Sequence, residues 1–470
     1  MKLDIRWIRD EFPICRQKFP LPGHDAPQPI RYFDHGASTH PPRAVIDTHR
    51  EFVEKYYSNI HRGHHNLSMI ASDLFDRVTE TVAGMVGADL SEKTVFLTTN
   101  TTAALDLASH AVASLDGVVL TTLLEHHSND LPYRARGETL LVGATPEGAL
   151  DMEDMERKLT NHPVKLVAVT GASNVSGWMP DIHEIARLAH EHGALICVDA
   201  AQLLAHKRID MRRASDPEHI DFLAAAGHKA YAPFGSAFLV APRDFMDTVP
   251  PYLPGGGTVL AVTHDDVVWT TGPDRHLGGT PNIPGAIAMA RALRFLQDTG
   301  LDAVREHELD LTRRLLAGLA GIDGVNVLGP PSPDERLGVV GFNIDGIHHD
   351  LVSAILNHEG GIATRNGCFC AHPYLHHLLG LDDVGDLVDS LRRGDEDPLL
   401  PGAVRISIGL FNTEEEIDLA LEWVERIRDR KWSGSYDLER GNFCRPVFFR
   451  LQGDGHQTEC PTSRNAGGSS

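Results

Sequence analysis

VKLVAVTGASNVSGWMPDIHEIARLAHEHGALICVD (164–199) is the stretch whose reading decides the fold. VKLVAVT (164–170) is a short, nearly continuous apolar run and reads as a buried strand. DIHEIARLAHEH (181–192) places apolar residues at helical spacing behind an aspartate suited to cap a helix, and Gly193 is a natural stop. ALICVD (194–199) is the next buried strand. Further strands are expected at 94–98, 118–123, 220–225 and 237–241. This β–helix–β rhythm predicts a mostly parallel sheet with helices on both faces. Such sheets bind ligands beyond the carboxyl ends of their strands.

Working outward, 283–298 and 301–319 read as two long helices. After the turn-rich 329–333 the pattern becomes strand (339–344), helix (350–358), strand (362–364), strand (403–408) and helix (413–428), a smaller α+β unit. Thr413 and Glu416 have capping-box spacing. Residues 381–401 are acidic and turn-rich and read as an exposed excursion. Periodicity fades from Lys431 onward. The expected organisation is a large domain over 31–290, a small domain built from 1–30 and 291–430, and a flexible tail over 431–470.

The chain has 470 residues, 42% hydrophobic and 23% charged, an ordinary globular composition. Its formal charge of −22 argues against nucleic acid or an anionic membrane as partner, because both would repel it. No apolar run approaches the ~20 residues of a membrane span. MKLDIRWIRDEFP (1–13) is too charged for a secretory signal. Six scattered cysteines do not make a disulfide framework, so a reducing, cytoplasmic setting is expected. The 27 histidines are the compositional oddity.

Chemistry concentrates where predicted strands end. Gly227-His228-Lys229 follows one strand, and Asp199 ends another. A lysine there is placed to be a buried, reactive amine, or is simply a loop lysine. With a carboxylate to keep a pyridine nitrogen protonated, the pair has the logic of an electron-sink cofactor site, that of pyridoxal phosphate. Taken singly, Asp199 also suits a structural turn cap. Asn100-Thr101-Thr102, before a helical run, offers hydroxyls and backbone N–H groups to a phosphate. His126 follows another strand and is placed to stack on a ring, with a metal ligand or a solvated loop histidine as the alternatives.

These residues carry a resemblance. The chain resembles class V aminotransferase-fold enzymes, and most closely the group II cysteine desulfurase and selenocysteine lyase family. The matching segments are YFDHGASTHPP (32–42), NIHRGHH (59–65), NTTAALDLA (100–108), EHHSN (125–129), ASNVSG (172–177), VDAAQ (198–202), GHKAYAPFG (227–235), GGGT (255–258), GGTPN (278–282), RNGCFCAHP (365–373) and VRISIGLFNT (404–413). It implies an α/β, fold type I architecture with a seven-stranded-type large sheet, and pyridoxal 5′-phosphate as cofactor. By position it implies Lys229 as the Schiff-base lysine, Asp199 as partner of the pyridine nitrogen and His126 stacked on the ring. Asn174 and Gln202 match positions near the cofactor's ring oxygen, and Thr101, Thr102 and His228 fall near its phosphate. Thr280 matches a threonine reaching the phosphate from a neighbouring subunit, which implies a homodimer. Arg405 matches the clamp on the substrate carboxylate, with His61 and Arg62 as further substrate contacts, and Cys370 matches the nucleophile. The implied reaction converts L-cysteine to L-alanine, leaving a persulfide on Cys370 for a sulfur-acceptor protein.

Three departures stand against the pattern. Ala226 replaces a serine before Gly-His-Lys, Leu277 replaces an acidic residue, and Gly367-Cys368-Phe369-Cys370-Ala371 replaces Gly-His-His-Cys-Ala. That last string also resembles molybdenum cofactor sulfurases. Cys368 suits a sulfur relay or a regulatory disulfide, and equally a small core residue. C–S lyases and epimerases share the same lysine, aspartate and histidine. A zinc protein is disfavoured, since His61–His65, His348-His349 and His372–His377 lack tight ligand spacing, and no metal site is expected. A nicotinamide dehydrogenase is disfavoured because no G-x-G-x-x-G follows a strand.

Overall fold

The computed structural model describes residues 3–21, 26–381, 384–393, 400–434 and 436. Its centre is a seven-stranded sheet built from β1 (Lys93–Thr98), β2 (Val118–Thr122), β3 (Thr139–Val142), β4 (Val164–Thr170), β5 (Leu195–Asp199), β6 (Phe222–Ala226) and β7 (Ala237–Pro242). In space the order is β1-β7-β6-β5-β4-β2-β3. Strands β2 through β6 pair in parallel, and only β7 runs antiparallel to its neighbours β6 and β1. The reason for the exception is length. The connection 227–236 is too short for the dozen or more residues of a parallel crossover, so the chain turns straight back.

The inner strands are apolar on both faces because helices cover both. Helix α1 (Ile182–Glu191) begins where the sequence predicts: Asp181 accepts from His183 N and Glu184 N, each at 3.2 Å. Gly193, at φ +75°, supplies the left-handed turn into β5. At the amino-terminal end of β6, Asp221 bonds His190 Nε2 at 3.0 Å, His219 Nε2 at 3.1 Å and Ile196 N at 3.0 Å. Burial raises its proton affinity, but the histidines, Lys93 and the amide outweigh that and hold the carboxyl well below the usual range. Asp221→Asn is therefore expected to cost about 2–3 kcal/mol of stability at neutral pH. The group is depressed in the folded chain, so this stability is present above the unfolded value of ~4 and is lost as pH falls through the folded one. Urea midpoints of the two proteins compared at pH 7 and at about pH 2 should converge towards acid, and parallel curves would refute the assignment.

The second sheet comprises β10 (Val325–Val327), β11 (Val339–Ile344), β12 (Arg365–Gly367) and β13 (Ala403–Ser407), all antiparallel, in the order β10-β11-β13-β12. Between the sheets in sequence lies a hairpin, β8 (Val259–Val262) with β9 (Val267–Trp269), that periodicity did not announce. The small sheet has its own core, Phe342, Ile344, Val404 and Ile406 packed against the helices 301–320, 349–358 and 414–428. Thr413 caps the last helix, accepting from Glu416 N at 3.3 Å. The Glu416 carboxylate instead takes Arg9 at 2.8 Å and Asn412 Nδ2 at 3.0 Å. The excursion 381–401 is not turns alone: it carries a helix, Gly385–Arg393. Most of the tail expected to be flexible, and residues 394–399, lie outside the described residues. No helix among the described residues is long and apolar enough to cross a membrane.

Candidate active site

The carboxyl ends of β2, β4, β5 and β6 open onto a cavity of about 290 Å³. Lys229 enters it from the turn after β6. That turn is braced from another segment: His228 O accepts from Thr39 N at 2.8 Å, Thr39 Oγ1 at 2.9 Å and Ser38 Oγ at 3.2 Å. Thr39 Oγ1 in turn accepts from Tyr231 N at 2.7 Å. Burial pushes the Lys229 amine down to about 8, against the pull of Asp199 and with help from Arg405. About a tenth of this lysine is thus an uncharged nucleophile at pH 7, far more than of a solvated lysine titrating near ~10.4.

Asp199 is buried at the end of β5. One carboxylate oxygen accepts from Ala201 N at 2.9 Å, and the side chain lines the cavity. Burial raises its pKa, partly offset by Ala201 N and Lys229. His126 Nδ1 accepts from Ser128 N at 3.1 Å, which leaves the proton on Nε2. Burial and then Lys229 push the ring down to about 4, so it is neutral at pH 7. Gln202 Nε2 donates to Gly36 O at 2.8 Å, and Asn174 Nδ2 to Phe369 O at 2.6 Å. His228 is held at about 4 by burial and by Lys229.

At one end the cavity meets the amino terminus of the helix Thr101–Ala111. Asn100 takes Ala103 N through its side chain (2.9 Å) and Ala104 N through its carbonyl (3.2 Å). Thr101 Oγ1 is buried without a partner, and Thr102 Oγ1 pairs with Ser128 Oγ at 2.7 Å. Free N–H groups, an unpartnered hydroxyl and the helix dipole together suit a bound anion.

Arg405, 3% exposed, forms the other wall. Nη1 donates to Asn174 O at 2.9 Å and Nη2 to Asp34 Oδ1 at 3.2 Å, while the guanidinium lies 4.9 Å from the centroid of the Phe369 ring. Arg365 approaches the second Asp34 oxygen at 3.6 Å. Gly36 leaves room for this guanidinium: a Cβ there would lie 3.1 Å from Arg405 Cζ, so the guanidinium would have to shift. Cys370 is exposed, lines the same cavity and has φ +57°.

The structure therefore brings together Lys229, Asp199, His126, Asn174, Gln202, His228, Thr101, Thr102, Arg405 and Cys370. It does not bring Thr280, His61 or Arg62 to them: these three line a separate cavity of about 540 Å³. The sequence reading gave no role to Asp34, which sits 371 residues from Arg405 in the chain, to Ser128, or to the buried Glu125. Burial raises Glu125 to about 8 while it accepts from Thr122 Oγ1, Asn129 Nδ2 and Thr170 N. The only available signal for each was its place inside a matching segment.

Comparison with known proteins agrees with this geometry. The family model for aminotransferase class-V matches residues 31–420. A probable cysteine desulfurase from Halobacterium salinarum is 35% identical, covering 91% of this chain and 97% of that protein. The solved apo cysteine desulfurase from Thermococcus onnurineus superposes with a TM-score of 0.79 at 30% identity, over 92% of this chain and 99% of that one. The Escherichia coli cysteine desulfurase CsdA, at 24% identity and a TM-score of 0.76 over 92% of this chain and 100% of its own, shares the fold.

Proposed function

The chain belongs to the class-V aminotransferase family, and from that premise we propose that it is a cysteine desulfurase that works with pyridoxal 5′-phosphate. The observation that carries the proposal is the convergence of an uncharged-prone lysine, a buried carboxylate, a buried arginine and an exposed cysteine on one cavity. The residues fit the cofactor. The orphaned Thr101 hydroxyl and the neighbouring amide N–H groups suit its phosphate, Asp199 its ring nitrogen, His126 its ring face and Lys229 its aldehyde carbon. When bound, the group supplies an electron sink for the bond broken at the substrate's α-carbon.

The protein's own groups do the rest. Arg405, already paired to Asp34 and given room by the missing side chain of Gly36, presents its fork to the substrate carboxylate. The Lys229 amine moves the proton at the α-carbon, a task suited to a base with a pKa near 8. Neutral His126 offers an Nε2–H donor. The Cys370 thiolate attacks the substrate's sulfur: the carbon–sulfur bond breaks, a sulfur–sulfur bond forms, and the carbon takes a proton to give alanine. The persulfide then passes to an acceptor, which we expect to be a protein docking where Cys370 is exposed.

We also propose a homodimer. Thr280, His61 and Arg62 sit together away from this chain's own site, and apolar side chains crowd the surface nearby in sequence. Leu260 is 72% exposed, Val262 62% and Met69 61%. The described cysteines are free thiols, which suits a reducing cytoplasm.

The reading is tested by product analysis of the loaded chain with L-cysteine. Alanine in step with transferred sulfur is expected. Pyruvate and ammonia would assign a C–S lyase instead, and D-cysteine an epimerase.

A further inference from the structure

Two successive non-glycine residues, Phe369 (φ +55°) and Cys370 (φ +57°), occupy the left-handed region, so the loop around Cys370 needs to be held. Helix His372–Leu378 follows at once, and its N-cap is Ala371, which has no side-chain acceptor. The missing acceptor comes from 245 residues away. His372 N donates to His127 Nε2 at 3.3 Å, and His372 Nδ1 lies 3.2 Å from the same nitrogen. The two rings stack with centroids 4.9 Å apart and 28° between planes. His127 N itself donates to Cys370 O at 2.8 Å. His127 thus grips the loop on both sides of Ala371, by its backbone and by its ring.

This grip fixes protons. The His372 amide can only donate, so His127 Nε2 must be bare and the ring neutral, with its proton on Nδ1. The surroundings agree: burial, His372 and Arg134 hold His127 below its ordinary value against Asp130, and burial does the same for His372. His376, with its ring 5.9 Å from that of His372, and His126, with its ring 6.3 Å from that of His127, are further titratable neighbours.

We propose that His127 and His372 are positioning residues, a neutral imidazole latch that caps the helix after Cys370 and keeps the thiol at the mouth of the cavity. The inference rests on Cys370 being the nucleophile. Where the resembling family has histidines before its cysteine, this chain has Cys368 and Phe369, and the imidazoles flank the cysteine from outside instead.

The test uses the full, cofactor-loaded chain and two readouts. One is the rate of Cys370 alkylation by iodoacetamide, localised by fragmentation mass spectrometry. The other is kcat and KM for alanine formation. His127→Ala should raise alkylation about fivefold and lower kcat about as much, with KM nearly unchanged, because the uncapped loop spends most of its time open. His127→Gln, which keeps an acceptor oxygen, should recover most of both. Should His127→Ala fail to fold, His372→Ala carries the same expectation, since it removes one donor and the stack. Unchanged alkylation in a folded variant, or a glutamine no better than alanine, overturns the latch. Alanine output that survives Cys370→Ala would instead overturn the nucleophile assignment, and the alkylation rates would still report on the latch.

Discussion

Lys229→Ala is expected to leave a folded chain that neither retains pyridoxal 5′-phosphate nor turns over cysteine. Turnover should fall at least about a thousandfold, since the residue is assigned both the anchoring of the cofactor and the proton at the α-carbon. The visible absorbance of the purified protein should vanish with it. Retained absorbance would overturn the cofactor assignment, whatever the activity.

The same residue makes a pH prediction whose sign can be worked through. Burial pushes the folded amine to about 8, whereas in the unfolded chain it titrates near ~10.4. Between those values the unfolded chain holds a proton that the folded chain lacks, so the folding stability of the cofactor-free wild type rises with pH relative to Lys229→Ala across that window. Below about pH 8 the gap is constant, and above ~10.4 it is constant again. Capture of added cofactor by the stripped wild type should accelerate with pH and level off just above 8, because only the free amine attacks an aldehyde. A rate still climbing at pH 10 would mean an ordinary, solvated lysine.

What the sequence made legible follows from what periodicity records. β4, β5 and β6 are buried on both faces, and their unbroken apolar runs located them to within a residue or two. The hairpin Val259–Val262 with Val267–Trp269 was missed for the opposite reason: its apolar residues face outward, so no buried face imposes a pattern. Site residues at strand ends, such as Asp199 and Lys229, were readable because topology places them. The pairing of Asp34 with Arg405, and of His127 with His372, was not readable, because each joins segments hundreds of residues apart. Nothing local in Phe33-Asp34-His35 says that its carboxylate will neutralise a guanidinium. The antiparallel β7 was in principle deducible from the short connection before it.

Cys370→Ala should separate the two halves of the chemistry. Cys370 lies on a loop on the small sheet's side, bonded through its carbonyl to His127, whereas the Lys229 turn and Asp199 are held by other groups, Thr39, Ser38 and Ala201 N. The variant should therefore bind cofactor with unaltered absorbance and still exchange the α-proton of cysteine with solvent. Alanine formation should fall at least about a hundredfold, a loss of ~2.7 kcal/mol in transition-state stabilisation, because no protein thiolate remains to take the sulfur. Cys368→Ala is the necessary companion. Cys368 is partly buried against the large core, whereas Cys370 is exposed at the cavity. If Cys368 only fills space, its loss leaves the first turnover intact, and if it relays sulfur, the first turnover survives while transfer to an acceptor slows. Single-turnover alanine release set against multiple-turnover sulfur transfer distinguishes these outcomes. A Cys370→Ala enzyme that makes alanine at the wild-type rate would remove persulfide chemistry from this site and leave the lysine and its carboxylate serving some other reaction of the same fold.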